Sequence, residues 1–144
     1  MTDIGEALRT YLTADANVAA VVAARIYADV LPQGATLPAV TYWLTSTETM
    51  ESLNAITDMA SASFTLECFA ATRSAVVQLA ETVRLVLQAN AARTAWGVVE
   101  VLGCSFAAGI SYDFDAPETG SDQRRWRATQ DVDIFYRQAT SLGD

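Results

Sequence analysis

Histidine and lysine are both absent from this chain, and all nine of its basic residues are arginine. Without histidine, the commonest general base and the commonest metal ligand are missing. Without lysine, Schiff-base chemistry and a P-loop are excluded. There are two cysteines, Cys68 and Cys104, 36 positions apart, with no CxxC pair. That spacing carries no zinc or redox signature and reads as two buried thiols on adjacent strands rather than a disulfide. Proline occurs only three times, and two of these, Pro32 and Pro38, punctuate one short stretch. Long apolar runs are missing too: Val18 to Ala24 is among the longest, against the ~20 residues a membrane span needs. The first residues, MTDIGEALRT, place Asp3 and Glu6 where a secretory signal carries cations. Synthesis in the cytoplasm is the expectation.

What is present is a globular composition. The 144 residues are 51% apolar and 18% charged, with a net charge of −8. A chain of this length makes one domain with one core, taken here as residues 1–144 with a frayed tail at about 138–144. The acidic balance argues against an anionic membrane or a specific DNA site as partner, because phosphate binding rests on clustered cations. The one such cluster, Arg124, Arg125 and Arg127, sits among Asp122, Asp131 and Asp133.

Along the chain, Ile4, Leu8, Tyr11 and Leu12 fall on one face of a helix that Thr2 or Asp3 can cap. Asp15 opens a second short helix with Val18, Val21 and Val22 inward. Ile26 to Ala28 is a short extended piece, followed by the proline-bounded loop LPQGATLP around Gly34. Ala39 to Ser46 is a strand with Val40, Tyr42 and Leu44 on one side and Thr41, Trp43 and Thr45 on the other. In residues 47–60 Met50, Leu53, Ile56 and Met59 recur at every third position. A projecting loop is expected there, with a short amphipathic helix as the alternative. Ser61 to Ala70 alternates cleanly as a strand with one wet face. Thr72 or Ser74 then caps the best helix, which runs to about Asn90 and carries Val76, Leu79, Ala80, Val83 and Leu87 inward.

From Val98 to Phe114 the even positions are apolar, Glu100 excepted. This predicts one long strand bent near Gly103 or Gly109. DAPETGSDQ is a polar turn, and Trp126 to Arg137 is the return strand, with Ala128, Val132, Ile134 and Tyr136 inward. The fold class expected is α+β: a single antiparallel or mixed sheet, helices packed on one face, and a long C-terminal β-hairpin.

Chemistry is sparse. Asp113, Asp115, Glu118 and Asp122 cluster at a turn, but they lack the order and closing glutamate of a calcium loop, so a solvated turn is the simpler account. Serines have no histidine base and GxSxG is absent. No cofactor or metal is expected, and no catalytic residue is nominated.

Several stretches together carry a resemblance. EALRTYLTAD leads into NVAAVVAARIY, LPQGATLPAVTY feeds the first strand, FTLECFAATRSAVVQLAETVRLVL gives a strand, a break and a helix, and YDFDAPETGSDQRRWRATQDVDIFYR closes as a hairpin. In this order, over about residues 5–137, the chain resembles the tail completion (tail terminator, head–tail joining) proteins of long-tailed bacteriophages and prophages. Residues 47–60 are the least family-like.

The resemblance implies a small α+β virion protein, made in the host cytoplasm, that assembles with itself as a sixfold ring. The ring would sit at the head-proximal end of the tail tube, stop tube growth and offer a surface to the head's neck proteins. DNA would only pass through its lumen. The net charge of −8 adds a separate expectation: carboxylates lining that lumen would keep phosphates from sticking. The alternatives are an assembly factor or interaction module that leaves before maturation and, in another class, a small hydrolase.

A closed ring needs two different adhesive patches per subunit. Interfaces enrich Trp, Tyr, Met and Arg. The candidates are therefore Trp43, Met50, Leu53, Ile56 and Met59 in one region, and Asp113, Asp115, Glu118, Arg124, Arg125 and Trp126 in the other. Ordinary surface or core is the competing account of each.

Overall fold

A computed structural model describes residues 3–51, 56–89, 94–96, 99–115 and 125–137. The chain opens with helix α1 (Ile4–Ala14), whose first free N–H groups are met by Asp3: its carboxylate accepts from the Glu6 amide at 2.7 Å. Asp15 does the same for α2 (Ala16–Val22), accepting from Asn17 and Val18. Ile4, Ala7, Leu8 and Leu12 of α1 are buried, as are Val18 and Val22 of α2. Val21, expected inward, is 38% exposed. Val18 and Val22 carry the inward face of this short helix, and Val21 lies at its solvent margin.

The chain then forms β1 (Ile26–Ala28), β2 (Ala39–Glu51) and β3 (Ile56–Ala70). β1 runs parallel to β2 and covers only Val40 to Tyr42. Asp29 ends it in a left-handed conformation, φ 70°, with its amide donating to the Tyr42 carbonyl at 2.8 Å. Gly34 takes φ 74° in the intervening loop, where a side chain would be strained. The Leu37–Pro38 peptide is cis.

β2 and β3 pair antiparallel from Ala39↔Phe69 up to Glu51↔Ile56, with irregularities between Leu44 and Ser46 and between Thr49 and Glu51. This corrects the expectation for residues 47–60. The described parts, Thr47–Glu51 and Ile56–Ala60, are strand, neither loop nor helix. Of the residues in the three-residue recurrence, Met50 lies at the end of β2 and Ile56 and Met59 at the start of β3, while Leu53 lies outside the described residues.

Helix α3 (Arg73–Gln88) is capped by Thr72, whose hydroxyl accepts from the Ala75 amide at 3.2 Å. All five residues expected inward are buried, with Val86 added. After it come β4 (Thr94–Trp96), β5 (Val99–Ser105), β6 (Ser111–Asp115) and β7 (Arg125–Arg137). The expected single strand over 98–114 is thus two strands, interrupted over residues 106–110. Its expected facing is also corrected in the first half: odd residues Val99 and Val101 are the buried ones. A shift in register between Val101 and Gly103 then reverses the alternation, so that Cys104 packs on the core.

The sheet order is β1-β2-β3-β7-β5-β4, with β6 beside the first half of β7. Every pairing but β1–β2 is antiparallel. The α+β class, the mixed sheet and the closing strand pair β6–β7 all follow the expectation. The cysteines do not: Cys68 on β3 and Cys104 on β5 have β7 between them. Both are free thiols, and burial pushes each up to about 12.

The helices pack on one face of the sheet. Val40, Tyr42, Phe64, Leu66, Cys68, Ala128, Val132 and Ile134 meet Leu8, Leu12, Val76, Leu79 and Val83 there. Tyr11 of α1 stacks on the fully buried Trp96 of β4, centroids 4.5 Å apart, and its hydroxyl donates to the Val86 carbonyl at 2.9 Å. One α1–β4–α3 junction thereby fixes both long helices to the sheet. Among the described residues, no helix is long and apolar enough to cross a membrane.

Candidate interface

The helix-free face of the sheet carries a hydroxyl and carboxylate pattern. It arises because β3 and β7 both alternate and pair in register, so their polar residues lie in rows. Ser63 donates to Asp133 at 2.5 Å, and Thr65 donates to Asp131 at 2.7 Å. With Thr45 and Ala107 these residues line a shallow depression of about 300 Å³. Each carboxylate holds a hydroxyl, but no imidazole is available to activate one as a nucleophile. Among the described residues, no group of three or more acidic, cysteine or histidine side chains could hold a metal ion.

One row further along, Arg127 of β7 ties three strands together. Its Nε donates to Asp113 of β6 at 3.0 Å, a second nitrogen donates to the other Asp113 oxygen, and Glu67 of β3 lies 3.4 Å from Nε. Fork-to-fork pairing of this kind fixes geometry more than it adds stability at an exposed site. Asp113 is therefore a cross-strand brace. Arg125 lies over the buried Phe69 ring, 5.1 Å from its centroid.

The helix-side face of the same corner is aromatic. Trp126 meets Phe114 edge-on at 5.3 Å, and the guanidinium of Arg73 lies 6.0 Å from the Trp126 ring. Phe114 is 46% and Tyr112 36% exposed. Burial, then the nearby Glu81, raises the Tyr112 hydroxyl above the ordinary tyrosine range.

The described candidates thus fall in two places, along β2 and β3 and at the β6–β7 corner. Asp113, Arg125 and Trp126 are gathered at the β6–β7 corner. Trp43 stands half-buried on β2 opposite Thr65, and Met59 is half-buried on β3. Met50, Ile56 and Asp115 lie within strands. Leu53, Glu118 and Arg124 lie outside the described residues. Leu44, Tyr112 and Phe114 were not singled out in the sequence. Their alternation marks them as inward, and only the edge position of their strands exposes them.

Residues 6–137 match the family described as tail completion protein gp17. The chain belongs to that family. It is accordingly a structural protein of the phage tail, and so of the virion. No curated protein matches the sequence. Of the solved structures, 29 chains are similar. One, from the virion of a native gene transfer agent particle, has a TM-score of 0.60 at 17% identity, covering 93% of this chain and 94% of that one. At that identity the likeness speaks for the fold of the tail completion protein.

Proposed function

We propose that this tail completion protein closes into a sixfold ring at the head-proximal end of the tail tube. There it ends tube polymerisation and presents the surface that the head's neck proteins join. The role is structural rather than catalytic. The observation that carries this reading is the family match, which runs through every described helix and strand.

The two separated candidate regions supply what a closed head-to-tail assembly requires, namely unlike patches on either side of one subunit. The helix-free face bears Glu67, Asp113, Asp131 and Asp133, with Arg127 committed to two of them. Turned to the lumen, that face would repel phosphate and let DNA pass without binding.

Quantitative mass spectrometry of purified particles tests the role. One ring's worth of this chain per tail, against a far larger count of tube subunits, is expected. Absence from finished particles whose assembly nevertheless needs the gene would replace a ring component with a departing assembly factor.

A further inference from the structure

Among the sheet edges that the described strands leave open, two suit one another. β1 shields β2 only as far as Tyr42, because the left-handed Asp29 turns the chain away. From Trp43 to Glu48, β2 pairs only with β3 among the described residues. Asp29 already donates to the Tyr42 carbonyl from that side. By the two-residue repeat, the Leu44 N–H and C=O point the same way, away from β3. The outer edge of β1 itself is closed: Arg9 donates from Nε to the Ile26 carbonyl at 3.0 Å and from its terminal nitrogen to the Ala24 carbonyl at 3.2 Å.

At the far side of the sheet, β6 pairs with β7 and with no other strand among the described residues. Long open edges invite added strands unless they are blocked by charge, proline or a cover. Trp43–Glu48 carries neither proline nor cation, and its one charge is Glu48.

Chemistry pairs the two edges. Six large apolar side chains are markedly exposed among the described residues, and three of them, Leu44, Tyr112 and Phe114, stand on these edges. All three point to the helix side of the sheet: Leu44 lies opposite Phe64, Tyr112 opposite Ala128 and Phe114 opposite Trp126. β6 runs antiparallel to β7, and β7 runs parallel to β2. A β6 edge meeting the β2 edge of a like-oriented neighbour therefore meets it antiparallel, the geometry of short-range pairing. Asp113, at the centre of β6, is already held by Arg127 and brings no unpaired carboxylate toward Glu48.

We infer that the Trp43–Glu48 edge of one copy receives the Ser111–Asp115 edge of the next, so that the sheet continues from subunit to subunit with Leu44 packed on Tyr112 and Phe114. This rests on the ring reading and specifies its interface. It also has a geometric consequence. Asp113 lies in the row of Arg127, Phe69 and Ala39, below the open run of β2. The offset is roughly six residues, ~20 Å along the strand. A ring that closes without climbing must absorb that stagger by tilting its strands against the ring axis, as shear does in barrels.

Disulfide trapping tests the contact, since Cys68 is buried and Cys104 packs against the core, away from both edges. Leu44→Cys and Phe114→Cys proteins are oxidised singly and mixed, in solution and on tail tubes, with native mass spectrometry reporting ring formation. The mixture should yield at least tenfold more cross-linked dimer than either protein alone, and a chain carrying both changes should yield a ladder. Rings without mixed cross-links, or cross-links only to the tube subunit, overturn the edge pairing and leave the ring reading standing. Monomer in solution together with no rings on tubes sinks the ring reading itself. In parallel, Leu44→Lys, at an exposed position, should keep the circular dichroism of the wild type and raise the half-assembly concentration at least tenfold. Wild-type assembly by that variant also overturns the inference.

Discussion

Replacing Arg9 by methionine isolates one device of the fold, the clamp by which α1 holds β1. The methionine keeps much of the apolar stem and removes both donors. Arg9 gives two hydrogen bonds to carbonyls, at 3.0 and 3.2 Å. A bond from a charged donor contributes ~1.5–3 kcal/mol when buried. Here one bond is part-buried and the other exposed, so water replaces much of each. A net loss of about 2 kcal/mol follows for the pair, against ~1 for neutral bonds taken singly. For a chain of this length that is roughly 6–8 °C in Tm.

Arg9→Lys should recover no more than about half, because one ammonium lacks the planar fork that reaches two carbonyls at once. Urea unfolding followed by circular dichroism, with matched m-values, is the assay. A change below ~0.5 kcal/mol in Arg9→Met, or a lysine variant equal to wild type, would refute the clamp. A second readout separates stability from edge protection: if Arg9 also guards β1, the methionine variant should scatter more light than wild type under fully native conditions.

Other outcomes follow from the same structure. Leu8→Ala, at a fully buried position, should cost ~3–4 kcal/mol in urea unfolding, since a cavity adds to the lost transfer energy. Both cysteine thiols titrate higher in the folded chain, about 12 against a reference of 9.0, so the native state holds protons that the unfolded state releases. Their stabilisation is complete below about pH 9 and is lost as pH rises toward 12. The urea midpoint should fall as pH rises from about 9 toward 12, and less steeply in a Cys68→Ala/Cys104→Ala chain. Ellman's reagent at pH 8 should find both thiols slow in native protein and fast in urea. Asp131→Arg/Asp133→Arg should turn a chain that does not retain duplex DNA at low salt into one that does, read by gel shift. If rings of this variant still eject DNA at the wild-type rate, the helix-free face does not line the lumen.

The sequence discloses those elements whose local pattern and tertiary setting agree. Thr72 and the spacing of Val76, Leu79, Ala80, Val83 and Leu87 define α3 almost to its last turn, because cap, propensity and burial coincide. β7 is equally plain, since both faces of a central strand keep strict alternation. Patterns fail where geometry slips. The shift at Val101–Gly103 exchanges the faces of β5, and nothing in VEVLGCS marks it. The separation of Cys68 from Cys104 depends on β7 being inserted between β3 and β5, a long-range choice that no window of residues contains. The interface was harder still. Tyr112, Phe114 and Leu44 are ordinary inward positions by alternation, and they become surface only because their strands end the sheet. Asp113 reads as a free acid in a polar turn, whereas Arg127 and Glu67, distant in sequence, make it part of a brace.

β7 is the last described strand, yet β3, β5 and β6 all pair with it and with no common partner besides. During translation, therefore, β2 and β3 can pair with each other while the inner edge of β3 waits for its partner. Contacts of such long sequence separation close late, because the loop entropy must be met before they form. A nascent chain stopped anywhere before residue 125 lacks the strand on which β3, β5 and β6 pair. The β6 edge is likewise braced only after β7 emerges, because Arg127 of β7 is what holds Asp113.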